Sequence, residues 1–143
     1  MGLMPRADFF EIKGPRWDLA LCHQVEAAFA SGGRVCVWAD SEAEARRLDD
    51  LLWTFRDDSF VPHDLWQGQP RLDTPVAVGW RPGNPNAAAC LVLARDASPE
   101  EVVGFERIVD FAPADLPERL GPARARYRAF REAGFAVSFR SAE

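Results

Sequence analysis

Asp49, Asp50, Asp57, Asp58 and Asp64 crowd into one short stretch of the chain, a density of carboxylates that can hold magnesium or pass protons. Ser59 and His63 lie in the same stretch, so the residue types of a hydroxyl nucleophile, a base and an orienting acid are also present. Their spacing argues against catalysis. A Ser-His-Asp set needs an exposed nucleophile on a strained turn between strand and helix, and Ser59, His63 and Asp64 share a few positions of one loop. Asp49 and Asp50 suit the solvated face of a helix, and Asp57-Asp58 suits the turn after it. The remaining enzyme reading is a metal-dependent nuclease or phosphotransferase built on Asp57, Asp58 and Asp64. His23 and His63 have no partners at zinc-ligand spacing. Phosphate-binding loops are absent too: there is no GxxxxGK[ST] or GxGxxG, and Gly32-Gly33 precedes a strand instead of opening a helix.

A second concentration of charge is basic. Arg119, Arg124, Arg126, Arg128 and Arg131 follow closely on one another, and the periodicity predicts a helix through them. On that helix Leu116, Leu120, Ala123, Tyr127 and Phe130 project in a sector of roughly 80°, the face that docks on a sheet. Arg124, Arg128 and Arg131 flank it. Tyr127 and Leu120 stand at the border, so a ligand there meets apolar surface and positive charge together. That combination suits a short acidic peptide with a hydrophobic end, its terminal carboxylate held by an arginine fork. The simpler reading is a solvated face whose arginines favour the helix C-terminus.

A third feature is aromatic. In a helix over 42–55, Leu48, Leu51, Leu52 and Phe55 recur at the spacing of a buried stripe. Trp53 sits roughly 140° from Leu48, beside Glu42, Arg46 and Asp49 on the polar side. An indole there either meets a partner or is covered by the following loop, Ser59 to His63.

The elements that must position these residues alternate along the chain. A strand over 9–12 is followed by a helix over 18–30 with Leu21, Cys22, Val25 and Phe29 on one side. A strand over 34–39 leads to Ser41, which with Glu44 has the form of a capping box for the next helix. Residues 56–74 read as a long surface connection with apolar anchors at Phe60, Val61, Leu65 and Trp66. Strands are expected over 75–80, 88–94 and 106–111, then a helix from 113–117 through 131, and a last strand over 135–139. Such alternation predicts a three-layer α/β/α sandwich on a mainly parallel sheet, Rossmann-like in topology but without a nucleotide-binding loop.

Composition bounds the rest. The chain has 143 residues, 48% apolar and 27% charged, with a net charge of -5, as expected of one globular domain over 1–143. The negative balance argues against broad binding to a phosphate backbone. No apolar run reaches the roughly 18 residues of a membrane span, and MGLMPRADFF lacks the order of a signal peptide, so a cytoplasmic protein is expected. Cys22, Cys36 and Cys90 lie in apolar segments and read as reduced core residues.

Two segments together resemble the chi subunit family of bacterial DNA polymerase III holoenzyme. LDDLLWTFRDDSFVPHDL is similar to that family's LDxxLW, short spacer, SFxPH signature, with Leu48, Asp49, Leu52, Trp53, Ser59, Phe60, Pro62 and His63 in matching places. Val109-Asp-Phe-Ala-Pro113 and the run from Arg124 to Phe135 resemble its VDF-P and RxRYRxYRxxGF segments. FFEI, GGRVCVWAD and PVAVGW fit in order, and Phe130 stands where many relatives carry Tyr. The resemblance implies a non-catalytic, cofactor-free accessory subunit, with no small-molecule substrate and only indirect contact with DNA. It would link the clamp loader to the acidic C-terminal tail of single-stranded DNA-binding protein, which ends in Pro-Phe. The family's tail-binding positions map onto Arg124, Tyr127 and Arg128, and its interface with the psi subunit, or an equivalent clamp-loader component, onto Trp53 and Phe60. The alternative for Trp53 and Phe60 is a helicase or repair partner.

Overall fold

The computed structural model describes residues 5–141; the first four residues of MGLMPRADFF and the last two of the chain lie outside the described residues. Ten elements follow one another: β1 (Arg6–Ile12), α1 (Trp17–Ala30), β2 (Val35–Ala39), α2 (Glu42–Thr54), β3 (His63–Leu65), β4 (Val76–Gly79), β5 (Cys90–Ala94), β6 (Arg107–Pro113), α3 (Pro117–Glu132) and β7 (Ala136–Ser141). The strands form one sheet in the order β3-β4-β2-β5-β6-β1-β7, and every pairing is parallel. Central strands read as continuous apolar runs because both faces are covered: Val-Cys-Val-Trp-Ala of β2 is buried at every position.

Alternation along β1 sorts the core into two layers. Phe10 and Ile12 point to the face where α1 and α2 pack, meeting Leu21, Val25, Leu48 and Leu52. Ala7 and Phe9 point to the opposite face, with Trp38, Leu91, Ile108 and Phe130 of α3. Each such fully buried Leu or Phe contributes roughly 1.5–3 kcal/mol of transfer free energy. Phe130 has no exposed surface, which accounts for a ring without a hydroxyl at that position. Among the described residues the second face carries one helix; the turns between β5 and β6 supply Ala97, Val102 and Phe105 to complete it.

Two expectations need correction. Residues 56–74 are not wholly connection, because His63–Leu65 pairs with Val76–Val78 as the edge strand β3. Three residues interrupted by an aspartate carry too little periodicity to be read as a strand, and only the open edge of β4 makes them one. Beyond β3 the chain turns Trp66 over Gly79 and Gly83, where a Cβ would lie 2.7 and 2.3 Å from the indole; any larger residue at either position displaces the ring. The capping box is half formed. Ser41 Oγ accepts from the Glu44 amide at 3.2 Å, but the Glu44 carboxylate accepts from Arg47 instead of returning to Ser41.

Arg47 also joins the two helices of one face, donating to Asp18 at 2.7 Å. Asp18 is buried in the first turn of α1, where the helix dipole favours a carboxylate. Burial alone would raise its pKa, but Arg16 and Arg47, by hydrogen bonding and charge, outweigh that and hold it below the ordinary value. A carboxylate with a lowered folded-state pKa stabilises the fold above its unfolded value of about 3.9, and that contribution disappears as pH falls through the folded one. Urea midpoints should therefore separate wild type from Asp18→Asn at pH 7 and draw together at acidic pH, below the unfolded value of about 3.9. An equal gap at both pH values would show that the pair adds no pH-dependent stability.

Candidate functional site: a cleft beside the last helix and an aromatic patch on α2

Helix α3 begins with Pro117 at its first turn and carries Pro122 in its second; the ring there leaves the Glu118 carbonyl without its helical donor. From Ala123 onward the apolar face docks: Ala123 and Phe130 are buried, and Leu120 and Tyr127 are half-buried at its border. The Tyr127 ring meets Phe9 of β1 edge-on, centroids 5.4 Å apart, and Phe139 of β7 at 6.2 Å. Between α3 and the β6-β1-β7 edge of the sheet lies a cleft of about 460 Å³, within the range of small-ligand and peptide-anchor sites of roughly 300–1,000 Å³. Its floor is apolar and small, formed by Ala112, Ala114 and Ala123, and Arg124 and Arg128 border it on the helix side. The predicted set Arg124, Tyr127 and Arg128 is thus brought together.

Arg131 is exposed beyond the residues that line the cleft. Arg126 departs from the basic ridge altogether. Two positions from Arg124 on a helix is about 200° of rotation, and Arg126 turns to the far side to pair with Asp110, Nε to Oδ2 at 2.7 Å and Nη2 to Oδ1 at 3.0 Å. Its remaining Nη1 donates to Asp96 at 2.9 Å. Asp110 is 1% exposed; burial pushes its carboxyl up despite Arg126 and the Phe111 amide. The sequence held a signal that Asp110 needs a buried partner, since it lies inside the apolar run Ile108 to Ala112, but not of which arginine supplies it.

On the opposite side of the sheet, Trp53 is 47% and Phe60 69% exposed. The loop covers the indole only in part. Trp53 lies over His63, centroids 4.1 Å apart at 38°, and beside Phe60 at 5.7 Å. His63 itself is buried, its ring nitrogens 2.7 Å from the Val61 carbonyl and 2.8 Å from the Asp49 carbonyl, so it props Trp53 outward. Those contacts also dismantle the hydrolytic arrangement: Ser59 donates to Glu26 of α1, and both His63 nitrogens are engaged by main-chain carbonyls, with the Asp49 carboxylate also 3.4 Å from Nε2, so neither nitrogen is paired with Ser59. Asp58 is engaged by Arg56 at 3.1 Å, and Asp57, Asp58 and Asp64 form no ligand cluster among the described residues. The cysteines are core groups as expected for Cys22 and Cys36, whose thiols burial pushes up to about 12; Cys90 is half-buried.

Among the described residues no helix is long and apolar enough to cross a membrane. In fold the chain is similar to T4 UvsW, with a TM-score of 0.65 at 7% identity over 95% of this chain and 41% of that one; the likeness concerns architecture alone. Sequence comparison is more specific. The family described as DNA polymerase III chi subunit, HolC, matches residues 4–138. DNA polymerase III subunit chi of Escherichia coli K12 is 35% identical over 117 residues, 80% of this chain and 78% of its own. Those of Haemophilus influenzae and Pseudomonas aeruginosa are each 30% identical, over 82% and 92% of this chain and 81% and 93% of theirs. With the family match running through both the aromatic patch and the arginine-bordered cleft, the chain belongs to the DNA polymerase III chi subunit family and is a replication accessory subunit of that polymerase.

Proposed function

We propose that the cleft between α3 and the β1-β7 edge captures the acidic C-terminal tail of single-stranded DNA-binding protein, and that the chain thereby couples the clamp loader to the protein-coated template without catalysing a reaction itself. The observation that carries this reading is an apolar cleft bordered by Arg124 and Arg128 on a chain whose net charge is -5. A negatively charged protein has little general affinity for DNA, yet here it concentrates positive charge beside a site for one apolar side chain. An acidic segment ending in Pro-Phe matches both halves: its carboxylates face the guanidinium groups and its last ring enters the cleft.

Fluorescence anisotropy with a labelled acidic peptide ending in Asp-Ile-Pro-Phe tests it. Binding in the micromolar range that weakens with salt is expected, and removal of the terminal Phe should abolish it. Equal binding of both peptides, or of neither, would overturn the assignment.

The Trp53-Phe60 patch supports a second contact on the other side of the sheet. An exposed indole beside an exposed phenyl ring is the composition of an interface centre, and the occupant we assign is the psi subunit or an equivalent clamp-loader component. Trp53→Ala should weaken co-purification of that partner about tenfold or more and leave tail binding unchanged. Retention of a helicase or repair protein in place of a clamp-loader component would redirect the assignment.

A further inference from the structure

We propose that Phe139 of β7 is the second aromatic wall of the cleft and contacts the terminal ring of the bound tail, with Glu11 setting the orientation in which that tail enters. The proposal rests on the tail reading and adds residues that lie outside the helical motif on which that reading stands. Phe139 is 53% exposed, a large apolar ring on the edge strand of the sheet. Single exposed rings are ordinary, but this one is placed. Val137, two residues earlier on the same side of β7, packs against the core layer beneath α3. Phe139 continues that side past the end of the core and emerges in the cleft. Its register partner on β1 is Phe9, which meets Tyr127 from below. Tyr127 and Phe139 therefore stand as two aromatic walls in contact with each other, with the buried Phe9 ring backing Tyr127 and the alanines lining the cleft beside them.

A ring entering beside those walls meets edges and faces at the separations aromatic pairs prefer. An aliphatic side chain of similar size fills the volume but forgoes those contacts. Charge then fixes direction. Glu11 lies two residues after Phe9 on the same side of β1 and lines the cleft at the sheet, whereas the arginines border it on the helix. A terminal carboxylate is drawn toward α3 and repelled from β1, so the ring points at Phe139 and the chain leaves past the arginines.

The test compares two peptides, one ending in Phe and one with Leu in its place, on wild type, Phe139→Ala, Phe139→Leu and Glu11→Gln. Wild type should prefer Phe by about threefold to tenfold. Phe139→Ala and Phe139→Leu should both lose that preference, and Glu11→Gln should tighten both peptides about threefold at low salt. If Phe139→Ala weakens the two peptides equally and leaves the ratio intact, the ring acts on the fold and not on the ligand, and the proposal fails. If wild type binds the Phe peptide but every ratio is unchanged, the proposal fails while the tail reading stands. If wild type binds neither peptide, the tail reading falls and takes this one with it.

Discussion

Arg126→Ala should destabilise the protein by about 3–5 kcal/mol, the cost of leaving a buried carboxylate without its cation. Asp110 lies in the middle of β6 at 1% exposure, and Arg126 supplies two of the hydrogen bonds it accepts. Only the Phe111 amide, at 2.7 Å, remains after truncation. The loss also carries a pH signature. Burial already raises the Asp110 carboxyl pKa with Arg126 present, and removing the cation raises it further. A group whose folded-state pKa lies above its unfolded value stabilises the fold at acidic pH and ceases to as pH rises through the folded value. The gap between wild type and Arg126→Ala should therefore be widest at neutral pH and narrow on acidification, the same direction as expected for Asp18→Asn although the two carboxyl pKa values are shifted oppositely. Denaturant midpoints across that range measure both. The double variant Asp110→Asn with Arg126→Met, which removes both charges, should recover part of the loss. A loss under about 1 kcal/mol for Arg126→Ala would mean that water reaches Asp110 and the pair is not buried in solution. Arg126→Lys keeps the charge but not the planar fork, so it should fall between the two.

If the cleft captures the acidic tail as proposed, Arg124→Ala combined with Arg128→Ala should weaken tail binding about a hundredfold, with each single variant costing about tenfold. Both side chains are exposed and border the cleft without a carboxylate partner at ion-pair distance among the described residues. Their removal should leave the denaturation midpoint within about 0.5 kcal/mol of wild type, as for surface substitutions away from structural contacts. The contrast with Arg126, two positions away on the same helix, is the point of the experiment. One arginine determines whether α3 is held on the sheet, and its neighbours determine what the helix presents. Affinity of the double variant should also lose most of its salt dependence, because the charges that salt screens are gone. Anisotropy at two ionic strengths decides it: a double variant that binds within threefold of wild type places the tail elsewhere.

Much of this was legible in the chain. Val35–Ala39 and Cys90–Ala94 are apolar at successive positions, which only a strand covered on both faces requires, and the 3.6-residue period of Leu48 and Leu52 marks the buried side of α2. Trp53 and the Arg124-Tyr127-Arg128 set stood out for the same reason, each violating or bordering a periodic pattern. Residues that obey no local pattern were not legible. His63–Leu65 is a strand because β4 offers it an edge. Phe139 on β7 reads as one more apolar residue of a short strand until pairing with β1 sets it opposite Phe9.

The amino-acid sequence by itself determined the alternation of strands and helices, the buried stripe of each helix and the residues left over on their polar sides, since these follow from backbone periodicity and from the cost of exposing apolar surface. Tertiary structure alone decided which arginine became structural and which remained at the surface. Arg124, Arg126 and Arg128 are chemically identical. Their roles part because a buried carboxylate sixteen positions upstream reaches only the one that helical rotation turns toward it, and long-range proximity of that kind leaves no trace in local spacing.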